Sequence, residues 1–132
     1  MFYEIEEGHG LPHNPFHSCI IPRPIGWIST LGADGVPNLA PFSFFNGALS
    51  EPPMVVFTSS APAEGGRPAK DTLVNIEATG EFVTNMSTYA LREEMNLTSA
   101  YVAPEVDEFD LAGLETLPSL LVKPPRVAAS PI

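Results

Sequence analysis

The run SSAPAEGGRPAKDT (Ser59–Thr72) gathers two serine hydroxyls, a Gly-Gly pair and two cations, Arg67 and Lys70, directly before a stretch with helical periodicity. Backbone N–H groups at a helix start, the positive end of the helix dipole, hydroxyls and cations are together the parts of a phosphate cradle, and glycines let a backbone approach closely. A solvated Gly-rich turn with Arg67 and Lys70 in water accounts for the same residues. Asp71 weighs against an anion seated on the cap itself, because its carboxylate can hold Lys70 or the loop instead.

The second chemically suggestive stretch is NLAPFSFFNG (Asn38–Gly47). Aromatic rings beside Ser43 and Asn46 on a proline-interrupted strand can present a flat apolar surface with polar donors at its rim, suited to a planar heterocycle. Phenylalanines at these positions also serve as core or dimer contacts. Strand alternation puts Phe42 and Phe44 on one face and Phe45 on the other. His9, His13 and His17 with Cys19 have a spacing that a helix would stack, and His with Cys suits zinc. Gly10, Pro12 and Pro15 break that helix, so they read as loop histidines and no metal is expected. No Ser-His-Asp order or paired-carboxylate motif is specific enough to name, so no catalytic side chain is assigned. Asp107, Glu108 and Asp110 read as a solvated acidic turn, and Arg92–Glu94 as a polar helix face.

Composition limits what these groups can serve. A chain of 132 residues, 44 % hydrophobic, suffices for one domain with one modest core. Its formal net charge of -10 repels nucleic acid and anionic lipid, and an anionic ligand would need its own local cations, of which Arg67 and Lys70 are two among six. A single cysteine excludes an intrachain disulfide framework, and MFYEIEEGHG lacks the marks of a secretory leader, which predicts a cytoplasmic protein. No apolar run approaches the ~20 residues that span a bilayer.

The elements that must position the chemistry follow from pattern. Residues 1–22, broken by glycine and proline, read as an extended arm. Ile25–Thr30 is β-branched and aromatic, and Asp34-Gly35 signals a hairpin turn. The return strand VPNLAPFSFF contains Pro37 and Pro41 and so belongs at an edge or is interrupted by a bulge. PMVVFTSS (Pro53–Ser60) reads as a short buried strand. Asp71 caps a helix whose Leu73 and Ile76 point inward and which Gly80 stops. EFVTNMS is a fourth strand, and ALREEMNLTSAYV a second helix with Leu91, Met95 and Tyr101 on one face. In the tail, SLLVK and RVAA are candidate strands. The expectation is a mainly β domain with short helices, either a barrel or an α+β layer.

The segments RPIGWISTLGADGVPNLAPFSFFNGALSEPPMVVF, KDTLVNIEATGEFVTNM, MNLTSA, DEFDLAGL and VKPPRVAASPI, in this order and spacing, resemble the flavin reductase-like, FMN-binding split-barrel family from about Leu11 onward. The resemblance implies a Greek-key split β-barrel spanning 1–132 as one domain, incomplete at its C-terminus because family members continue with further strands. It implies a homodimer with FMN near the interface, the phosphate among Ser59, Arg67, Lys70, Asp71 and Thr72, and the isoalloxazine ring along Ser43, Phe44, Phe45 and Asn46. Trp27 would flank the ring. In reductases of this family NAD(P)H gives a hydride to the flavin, and the reduced flavin passes electrons onward, in some cases to a monooxygenase. A non-catalytic FMN-binding or dimerising fragment is the alternative expectation.

Overall fold

The structure, a computed structural model, describes residues 2–59 and 69–132. Its centre is strand β1 (Gly26–Leu31), whose Gly26–Thr30 are all buried. It pairs antiparallel with β2 (Pro37–Phe42) on one side and β5 (Val83–Met86) on the other. The β1–β2 turn is the Asp-Gly hairpin that the sequence predicts: Gly32 N–H donates to Val36 O at 2.8 Å and Val36 N–H to Asp34 Oδ1 at 3.1 Å. β2 lies at the edge, as its prolines require. Leu39 N–H points away from β1, toward Glu108, and alternation gives the nitrogens of Pro37 and Pro41 the same outward direction. The missing donors therefore cost the ladder nothing.

The return strand is shorter than the sequence suggests. It breaks at Ser43–Phe44, and the chain re-enters as β3 (Phe45–Ser50), which pairs with β4 (Pro53–Phe57) around a bulge between Gly47 and Leu49. Phe42 and Phe44 consequently part company. Phe42 packs on Phe57 (ring centroids 4.9 Å apart), and Phe57 on Phe82 (5.4 Å), whereas Phe44 faces the N-terminal arm. β4 is a strand but not a buried one, because among the described residues no second layer covers it; Met54, Val55 and Val56 are roughly half exposed.

Helix α2 (Asp71–Thr79) starts with Lys70 at its N-cap, and Gly80 ends it in the left-handed region at φ 71° with its N–H on Ile76 O. The residue it buries is Thr72 rather than Leu73 or Ile76, which are half-buried. Asn38 Nδ2 donates to Thr72 Oγ1 at 2.9 Å and Asn75 Nδ2 to Thr30 Oγ1 at 3.1 Å, which pins the helix to the sheet. A 3-10 turn (Tyr89–Leu91) leads into α3 (Arg92–Leu97), and α4 (Glu108–Leu111) follows, capped by Asp107. The core is Trp27, Leu39, Phe109 and Val127, packed by Leu91, Met95 and Leu114. Short strands β6 (Thr116–Leu117) and β7 (Arg126–Val127) close the described chain.

Several expectations are corrected. The arm is not wholly extended: α1 (Pro15–Cys19) forms because Asn14 caps it and a proline at the first helical position loses no hydrogen bond. His9 and His13 lie outside that helix. SLLVK is a series of bends with Leu120 and Leu121 in water, and Tyr101 lies beyond α3. The acidic turn is the helix α4, with Glu108 buried. Trp27 is wholly buried, its Nε1–H on Thr98 Oγ1 at 2.9 Å, so it cannot flank a ligand ring. The fold is β-rich with short helices, and among the described residues its three sheets do not close into a barrel.

Candidate functional site

The break after β2 creates the first half of the site. Ser43, Phe44, Phe45 and Asn46 line a cavity of about 270 Å³ together with Arg23, Ile20 and Thr58. Among the described residues its lining holds a single charged residue, Arg23, and no carboxylate. The Arg23 guanidinium lies 5.2 Å from the Phe44 ring centroid and its Nη1–H donates to His17 O at 3.0 Å. Phe16 stacks on Phe44 with centroids 6.0 Å apart, and His17 meets its edge at 5.4 Å. The arm thus buttresses the aromatic platform. Asn46 is exposed and its Oδ1 accepts from Gly47 N–H.

Phe45 is placed by Gly26, whose missing side chain makes room for the ring lying directly against it. A Cβ there would overlap the ring near its base, where it cannot swing aside. Gly26→Ala should therefore cost about 1–3 kcal/mol, the usual penalty of overpacking, read from urea denaturation; a neutral result would show that Phe45 moves freely.

The second half lies around a different cavity, of about 200 Å³, lined by Lys70, Asp71, Thr72, Ser99, Tyr101 and Glu108 among others. Lys70 is exposed, with its ammonium 5.4 Å from the Phe42 ring centroid. Glu108 is 5 % exposed and its Oε2 accepts from Leu39 N–H at 3.1 Å. Burial pushes its carboxyl up to about 7; the Leu39 hydrogen bond acts against this, while Asp71 and Asp107 add to it. The Asp107 carboxyl is also raised, chiefly by burial. One ammonium faces two carboxyls, so this cavity suits an anion best when Glu108 carries its proton.

The expected site residues therefore divide. Ser43–Asn46 share one cavity and Lys70–Thr72 another, with no lining residue in common. Ser59 is half-buried just beyond β4, and Arg67 lies outside the described residues. Two residues were missed, Arg23 and Glu108. Arg23 carried a signal, since an arginine held between Pro22 and Pro24 is one of only six cations in an acidic chain. Glu108 carried none.

The strand break thus gives this β-rich domain a cavity with an aromatic wall, and comparison with known proteins shows its family. The model of the flavin reductase like domain matches residues 17–132, and the chain belongs to that family. A protein of Aquifex aeolicus is 44 % identical over 108 residues, 82 % of this chain and 54 % of its own length. Component B of nitrilotriacetate monooxygenase from Bacillus cereus superposes with a TM-score of 0.72 at 32 % identity, covering 84 % of this chain and 53 % of that one. The 2-nitrobenzoate 2-nitroreductase of Pseudomonas fluorescens gives 0.76 at 26 %, over 99 % and 61 %. A split barrel domain from Shewanella frigidimarina, with TM-score 0.69 and 24 % identity over 82 % and 51 %, shares the fold. The chain spans about half the length of the curated relatives it matches. No helix among the described residues is long and apolar enough to cross a membrane.

Proposed function

We propose that this chain is an FMN-binding flavoprotein oxidoreductase of the NAD(P)H:flavin reductase type. The observation that carries the proposal is the aromatic cavity, lined among the described residues by Phe44, Phe45 and one arginine and by no acidic side chain, in a chain of net charge -10. Those features fit an electron-accepting ring. FMN supplies the redox chemistry, accepting a hydride from NAD(P)H and passing electrons on; the chain's residues bind, orient and shield it. Phe44 and Phe45 give the ring a surface, Ser43 and Asn46 meet its polar edge, and Ser59, Arg67, Lys70, Asp71 and Thr72 surround the phosphate. No side chain is required as acid or base. A homodimer, and delivery of electrons to a monooxygenase like the system of which the Bacillus cereus protein is a component, belong to the same proposal. One second reading, a domain that binds FMN without turnover, is kept as an outcome of the test.

Visible absorption during FMN titration, followed by anaerobic NADH and then NADPH, separates these readings. Saturable binding with bleaching of the flavin band supports the reductase, binding without bleaching the second reading, and no binding defeats both. Phosphate placement has its own test. Lys70→Ala and Arg67→Ala should each weaken FMN by about 1–2 kcal/mol, the lower range for an exposed charged hydrogen bond, and leave riboflavin, which has no phosphate, unchanged. Equal losses for the two ligands would remove the phosphate from these residues.

A further inference from the structure

We propose that Arg23 is the charge-selecting residue of the aromatic cavity. It favours a planar ring carrying delocalised negative charge, so that the reduced, anionic flavin is held more tightly than the neutral oxidised form. This inference rests on the reading that the cavity receives the flavin ring.

The placement of Arg23 carries the argument. Pro22 and Pro24 on either side restrict its backbone. One N–H donates to His17 O in the last turn of α1, where helix carbonyls lack intrahelical partners, and the guanidinium carbon lies over the Phe44 ring. A guanidinium has five N–H donors, and the contact to His17 occupies one. Arg23 is half-buried and forms no ion pair with any described residue, whereas Arg92 is paired with Glu93 at 3.3 Å. A partly desolvated cation without a counter-charge is costly until an anion arrives, and among the described residues no carboxylate in the cavity lining competes for the role. Charge gained by the ring on reduction would then be felt directly, because separation from bulk water strengthens the attraction.

The test compares the parent with Arg23→Gln and Arg23→Lys, measuring the affinity for oxidised FMN and the midpoint potential of the bound flavin. Arg23→Gln should lower the preference for the reduced form by about tenfold, equivalent to about 30 mV for a two-electron couple. Affinity for oxidised FMN should change little, which also shows that the variant is folded. Arg23→Lys should keep the parent's potential, since it keeps the charge. An unchanged potential in Arg23→Gln, or a lysine variant that behaves like the glutamine one, would overturn charge selection while leaving the flavin reading intact. A parent that binds no FMN would overturn both.

Discussion

Glu108→Gln should stabilise the protein at pH 8 by about 3 kcal/mol and leave it unchanged near pH 4.5, erasing most of the pH dependence between. The folded carboxyl titrates at about 7 against an ordinary 4.5. Through that window the folded state binds more protons than the unfolded one, so stability falls as pH rises, and the full penalty is in place above 7. A shift of this size corresponds to about 3 kcal/mol. Glutamine keeps a carbonyl oxygen for Leu39 N–H, and so removes the buried charge without orphaning the edge strand. Denaturant melts at several pH values check it. A variant that follows the parent at every pH would show that the charge of Glu108 reaches water after all.

Asn85→Ala should cost about 2–5 kcal/mol, because one side chain satisfies three buried groups. Asn85 is 1 % exposed; its Nδ2 donates to Trp27 O at 3.1 Å and Ser29 Oγ at 3.3 Å, and its Oδ1 accepts from Val127 N–H at 2.8 Å. Alanine would strand a carbonyl of β1 and an amide of β7 in the core. Urea denaturation reads the loss directly. A cost below about 1 kcal/mol would mean that water enters and replaces the amide.

Local rules account for what the sequence made legible. Asp34-Gly35, Gly80 and the prolines of β2 each dictate a backbone geometry within a few residues, and each element appears where it was expected. The break at Ser43 was hidden because FSFFNGAL continues the apolar run through it, and its turn dipeptide, Asn46-Gly47, lies inside β3 rather than where the chain changes partner. Pro15 looked like a helix breaker where it is a helix start. Glu108 was illegible for a different reason: its burial depends on Leu39, 69 residues away, and an acidic cluster reads as solvated until that contact exists. The site was legible as two groups of residues, but only the tertiary arrangement shows that they line separate cavities and that Arg23 belongs with one of them.

The arrangement along β2 has a consequence for how copies of this chain meet. An added β-strand grows by capturing amide hydrogens along an exposed edge. Over Pro37–Pro41 the outward positions offer two imide nitrogens, which have no hydrogen, and one amide already engaged by Glu108. That edge therefore offers an incoming strand no free amide hydrogen, at two positions because of the covalent structure and at the third because Glu108 covers it, which disfavours edge-to-edge pairing through β2.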